Sequence, residues 1–179
     1  RNAKAAKRFL AKALRRSRDW KPRVINTDKN PAYGEAIAEL KKEGLLPISQ
    51  TAMIVREDIA YHDYEGVALD LDERERLVRD LGPNKHSMLL RNHGTLTCGE
   101  SAALTFTRMF FLERACKMQI MALSAGRDGV LECDEALQDK VAGQGGLTKH
   151  SSGMSTLTDR LVWPALLRKL DRQLPGYAA

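Results

Sequence analysis

The stretch from Met88 to Glu100 constrains this chain more than any other. Its apolar run Met88-Leu89-Leu90 reads as a buried strand, Asn92-His93-Gly94 as a turn at the strand's end, and Leu96 to Cys98 as a second short strand. After Glu100, Ala103, Phe106, Met109, Phe110, Leu112 and Ala115 recur at helical spacing and give a helix with a broad apolar surface, reaching about Ala125. Phe110, Phe111 and Met118 read as packing residues of that helix. Together with a third strand over 59–64, the strands at 87–92 and 95–98 are expected to form part of a sheet covered by helices, a layered α/β domain. A histidine held by glycine at a strand end suits a metal ligand, because rigid backbone fixes the imidazole while leaving it free to face a cleft. The same pattern also fits a histidine hydrogen-bonded within its own turn.

Charge divides the chain unevenly. Through Gly44 there are 13 Lys and Arg against 5 Asp and Glu, a balance of +8; the remainder carries 16 against 18, a balance of −2. Such asymmetry points to a nucleic-acid-facing arm or to segments of different origin. From Ala3 to Arg16 the apolar residues Ala6, Phe9, Leu10, Ala13 and Leu14 lie at helical spacing among Lys4, Lys7, Arg8, Lys12, Arg15 and Arg16. That basic helix suits either a solvated face or a DNA contact through residues 1–23. Arg23 to Asp28 then reads as a strand ending in a carboxylate, and Asn30-Pro31 as the start of a helix that Gly44 stops.

Further along, Ser49 to Met53 is expected to be helical or loop, and Asp70 to Glu73 to cap a helix ending near Gly82-Pro83. Gly126 to Gly129 breaks the long helix, and 143–153, rich in Gly, Ser and Thr, reads as a mobile link. Gly143-Gln144-Gly145-Gly146 lacks the lysine-serine ending and preceding strand of a phosphate loop. A last amphipathic helix spans about Thr158 to Leu170, with Pro164 in its first turns. His86 and His150 stand in polar contexts and are expected at the surface. Cys98, Cys116 and Cys133 lack metal-type spacing and read as reduced, buried or half-buried thiols in a cytoplasmic setting. No run approaches the roughly eighteen apolar residues a membrane span needs. A sequence opening at Arg1 reads as a segment of a longer product.

Two resemblances add to this. Leu46-Pro47-Ile48-Ser49-Gln50, Tyr61-His62-Asp63-Tyr64-Glu65-Gly66, Leu69 to Leu77, Leu90-Arg91-Asn92-His93-Gly94, Leu112-Glu113-Arg114-Ala115-Cys116 and Trp163 to Arg168 resemble the class II aldolase/adducin family over residues 45–179. The resemblance implies part of a layered α/β/α domain. It also implies a zinc or related divalent ion held by three histidines for aldol cleavage of small hydroxy-carbonyl or sugar-phosphate substrates, in homo-oligomers. His93 matches the third of those histidines. The other two, a His-x-His pair, and the acid-base glutamate belong to a portion with no counterpart here, and the motif around His62 is not that pair.

The second resemblance covers residues 1–44. Arg1 to Leu10 and Val24-Ile25-Asn26-Thr27-Asp28-Lys29 with Pro31 to Gly34 are similar to DDE transposases of insertion sequences, implying a helix-strand-helix piece of an RNase H-like fold. By position, Asp28 inherits the role of one of three carboxylates that hold two magnesium ions. It stands alone, because two-metal phosphoryl transfer needs several carboxylates around both ions. Cys98, five residues after His93, could in principle add sulfur to a metal. Three classes of function therefore remain: a metal-dependent lyase active only if another chain or a missing N-terminal segment supplies the other histidines, a non-catalytic interaction module or inert fusion product, and a DNA-binding transposase remnant.

Overall fold

The computed structural model of the chain describes residues 38, 40, 42–66, 72–145 and 156–175. All of them belong to one compact unit, 31–179. The first described residues, Ala38, Leu40, Lys42 and Glu43, are helical. That helix ends as the sequence predicts: Gly44 takes φ +82° and its N–H donates to the Leu40 carbonyl at 3.0 Å. A left-handed residue at this position satisfies an orphan carbonyl of the last turn, and glycine adopts it without a Cβ clash.

Helix α1, Gln50–Val55, starts where the Ser49 hydroxyl accepts from the Ala52 N–H, and it buries Ala52, Met53 and Val55. One tight turn, Arg56–Asp58, leads into β1, Ile59–His62. Helix α2 is Glu73–Leu81, stopped by Gly82 at φ +68°. Strands β2, Ser87–Leu90, and β3, Gly94–Thr97, follow, and then the long helix α3, Ala102–Leu123, whose N-cap Ser101 accepts from the Leu104 N–H. Helix α4, Glu135–Gly145, begins with the Asp134 carboxylate accepting from the Leu137 N–H at 2.8 Å. A wide turn, Thr158–Val162, opens into α5, Trp163–Gln173, with Pro164 in its first turn.

Among the described residues the sheet has the order β1-β2-β3. β1 runs parallel to β2 with His62 beside Leu90, and β3 returns antiparallel with Gly94 beside Leu90. Neighbouring residues of a strand face opposite sides of a sheet, so β1 shows what covers each face. Ile59 enters the core with Ala52 and Val55 of α1 and Leu112, Ala115 and Cys116 of α3. His62, on the other face, bonds to Asp80 of α2. Helices therefore cover both sides, the layered arrangement that the sequence implies.

Several boundaries differ from expectation. Each strand is four residues long, so β1 ends at His62 rather than residue 64, and β2 at Leu90 rather than residue 92. The ladder goes no further than the Arg91 N–H because Asn92 turns left-handed at φ +59°, a conformation asparagine tolerates. The expected link over 143–153 is helical through Gly145, which lies in α4. A Cβ at Gly145 would stand 2.7 Å from Ile54 Cγ1, so glycine there lets α4 close on α1 rather than loosening the chain. Residues 146–155 lie outside the described set, as do His150, Asp28, residues 1–23 and the expected transposase-like strand.

Burial on α3 also departs from the simple apolar face. Leu112 and Ala115 are fully buried and Phe111 packs beside them, while Phe106 and Phe110 are about half exposed. Asp72 occupies the N-cap of α2 without a side-chain capping bond. Cys116 is buried as expected, whereas Cys133 is exposed because it precedes α4 on an open connection.

Candidate functional site

The turn that carries His93 is built on the end of the sheet. The Arg91 N–H donates to the His62 carbonyl at 2.9 Å, continuing the β1–β2 ladder by one residue, and the His93 N–H donates back to the Leu90 carbonyl at 3.0 Å. The Arg91 guanidinium lies 5.4 Å from the centroid of the Tyr61 ring, and its Nε donates to Asp63 at 3.0 Å. Its Nη1 reaches the Lys42 carbonyl at 3.3 Å. The turn's backbone is thus held from several sides while its histidine projects outward. His93 is exposed and forms no side-chain hydrogen bond or ion pair among the described residues. Beyond the turn, the Thr95 hydroxyl donates to Glu113 Oε1 of α3 at 2.6 Å, tying β3 to the long helix.

The other described histidines are engaged. His86, expected at the surface, is half-buried, with Nδ1 2.7 Å from Asp58 Oδ1. Asp58 is 1% exposed and takes further contacts from the His86 N–H, the Ser87 hydroxyl and the Arg108 guanidinium. Arg108, itself 2% exposed, donates to the Cys98 carbonyl at 2.9 Å. This buried node joins the start of β1, the start of β2, the end of β3 and α3. Nothing in the local sequence around His86 signals it, because its partner lies 28 residues earlier.

His62 is 3% exposed, with Nδ1 2.7 Å from Asp80 Oδ2. The bond from the ring, with help from Arg79, holds the Asp80 carboxyl below its ordinary range. On its other side the ring faces Glu65 and Glu73. Sequence reasoning set His62 aside because it is not part of a histidine pair. The signal that could have found this cluster is the pair of acidic residues two helical turns apart on one face of α2, Glu73 and Asp80, placed after a strand that ends in histidine.

A three-ligand centre around His93 does not fit these residues. The sequence holds four histidines, at positions 62, 86, 93 and 150, and none precedes His62. Among the described residues no group of three or more His, Cys, Asp or Glu side chains could hold a metal ion. Cys98, the sulfur that could have joined His93, is half-buried just past β3. The zinc implied by the family resemblance thus lacks its donor set in the described part of the chain.

Comparison with known proteins decides the family. The family model described as the class II aldolase and adducin N-terminal domain matches residues 30–120, half of the chain. The chain belongs to the class II aldolase and adducin family. Its aldolase/adducin domain is 57% identical over 137 residues to the "Putative aldolase class 2 protein" of Caulobacter vibrioides, covering 76% of this chain and 51% of that one. It is 34% identical over 148 residues to gamma-adducin of Mus musculus, covering 76% of this chain and 20% of the relative. A crystal structure of an aldolase II superfamily protein from Pseudomonas syringae superposes with a TM-score of 0.68 at 39% identity, over 85% of this chain and 57% of that one. The chain spans about half the length of the bacterial relatives it matches.

The aldolase/adducin match starts at residue 30, so residues 30–44, which the sequence likened to transposases, fall within it. The structure ties the end of that stretch into the domain. Gln119, fully buried on α3, donates from Nε2 to the Gly44 carbonyl at 3.0 Å and accepts from the Leu46 N–H at 2.7 Å. The Tyr61 hydroxyl accepts from the Leu45 N–H at 3.0 Å. Among the described residues no helix is long and apolar enough to cross a membrane.

Proposed function

We propose that this aldolase/adducin domain has lost the metal-dependent lyase activity of its enzymatic relatives and serves as a non-catalytic member of the family. The observation that carries this reading is the isolation of His93 on its exposed turn, with no group of three or more His, Cys, Asp or Glu able to hold a metal ion among the described residues. A single neutral imidazole holds zinc weakly, since the affinity of such centres comes from several preorganised ligands. The adducin similarity supports a binding role, and the strand edges support assembly: among the described residues β1 and β3 are both edge strands. A homo-oligomer that covers those edges is the arrangement we expect. A second copy could in principle supply donors to His93, so the assembled species is the one to assay.

The test is retro-aldol turnover of small hydroxy-carbonyl and sugar-phosphate substrates by the assembled chain with added zinc. The expected result is no turnover above the level of the His93→Ala variant. Turnover abolished by His93→Ala would establish a working lyase completed between subunits.

The basic balance of +8 through Gly44 favours a second, separable reading, in which the transposase-like stretch with Asp28 binds DNA without cleaving it. Binding to duplex DNA should then weaken steeply with salt and disappear when residues 1–23 are removed. Equal affinity with and without those residues would reject it.

A further inference from the structure

Helix α5 is amphipathic, yet none of its eleven residues is buried. Leu166, Leu167 and Leu170 follow Trp163 at three- and four-residue spacing, so they share one face. The Trp163 ring meets Phe106 of α3 at 5.8 Å between centroids, and around that contact the two helices leave an open groove of about 260 Å³. The same aromatic pair and the three leucines line it, with Lys169 as the one charged residue of the lining among the described residues. Phe106 is 44% exposed, and Phe110, one turn further along α3, is 51% exposed. A contiguous apolar surface of this kind marks a docking site.

Size, walls and charge select the occupant. The groove falls short of the roughly 300–1,000 Å³ that enclose a small ligand, and has room for a few side-chain anchors. Both walls are helical, so an extended peptide finds no strand edge to pair with, while a third helix can pack its ridges between the other two. Lys169 and Arg172, three apart, stand on one flank of the apolar stripe, exposed and without an ion pair among the described residues. Asp171 stands on the other flank. A flat anionic bilayer would meet both flanks, and the Asp171 charge would oppose it. A second copy brought in antiparallel by a two-fold axis would set Lys169 and Arg172 against themselves. An acidic helix seated in the groove meets the basic flank with neither penalty.

We propose that the groove between α3 and α5 docks an amphipathic helix of a partner protein, acidic along the flank that faces Lys169 and Arg172. Its apolar residues, repeating at i, i+3, i+4 and i+7, fill the space between Phe106 and the leucines of α5. Pairing at the exposed basic rim sets orientation and salt dependence, while the leucines and aromatic rings supply most of the affinity. The inference rests on the binding role proposed above and names the partner's chemistry.

The probe is a designed helix of about 18 residues, leucines at that spacing and glutamates beside them, long enough to be helical in water. It is titrated into the full chain carrying Trp20→Phe, which leaves Trp163 as the only tryptophan to report binding. One peptide per chain is expected, with a blue shift of Trp163 emission and binding at least about tenfold weaker for Leu170→Glu. A peptide with lysines in place of the glutamates should bind more weakly, and the double change Lys169→Glu with Arg172→Glu should reverse that order. Both residues are exposed, so the reversal does not depend on a disturbed fold. No saturable binding, equal affinity for the two peptides, or affinity unmoved by Leu170→Glu would each overturn the proposal. So would binding to phosphatidylserine vesicles in preference to the peptide, or a dimer that Leu170→Glu dissolves, since the face would then belong to a bilayer or to a second copy. Retro-aldol turnover by a chain that still binds the peptide would sink the loss of lyase activity and leave the groove's role intact.

Discussion

Two regions at the ends of the same strands have fared differently. The buried node of Asp58, His86, Ser87 and Arg108 is complete within the described chain: every member reaches another, and the carboxylate at its centre is 1% exposed. The His93 turn is held by its backbone and by the Arg91 side chain, while the His93 ring itself makes no hydrogen bond or ion pair among the described residues. Fold integrity needs the first region, because buried charge without its partners is expensive. A turn that faces solvent imposes no such demand. The domain can thus keep the shape of its family whether or not His93 has companions.

Substitutions that separate the two regions should rank accordingly. Asp58→Ala strands the Arg108 guanidinium in the core, and urea denaturation should show a loss of about 3–5 kcal/mol; a loss below about 1 kcal/mol would mean the node is a bystander. Gln119→Leu leaves the Gly44 carbonyl and Leu46 N–H without their side-chain partner. Each buried group so exposed costs about 1–3 kcal/mol, and unchanged stability would show that the 44–46 segment is held by other contacts.

Thiol labelling sharpens the ranking without measuring free energy. Burial, and then the Glu113 charge, push the Cys116 thiol up to about 12, so at pH 8 it stays protonated as well as covered. Iodoacetamide should modify exposed Cys133 long before Cys116, and Asp58→Ala should speed labelling of Cys116 by opening the core. Equal rates for both thiols in the unmutated chain would contradict this packing. The smallest effect belongs to His93→Ala, which should change stability by no more than about 0.5 kcal/mol. A large loss there would reveal that the turn has partners the described residues do not show.

Much of the architecture was legible in the residues themselves. Met88 to Leu90, the Asn92-His93-Gly94 turn and the apolar spacing of α3 foretold strand, turn, strand and helix, and Gly44 and Gly82 end helices as glycine does at left-handed positions. The His86 node was not legible, because its reading depended on residues 28 positions apart in sequence. The same is true of α4: two glycines looked like a loop until a helix packed against Ile54 gave Gly145 a steric reason.

Sequence alone determined the inventory: four histidines, none before His62, and a basic excess confined to the first quarter. Those limits hold for any conformation, since folding cannot create a ligand that the chain does not carry. Tertiary structure alone decided which histidines are occupied. Burial turned His62 and His86 into members of carboxylate networks and left His93 in solvent, because the cost of removing a polar group from water depends on what surrounds it in space, not along the chain.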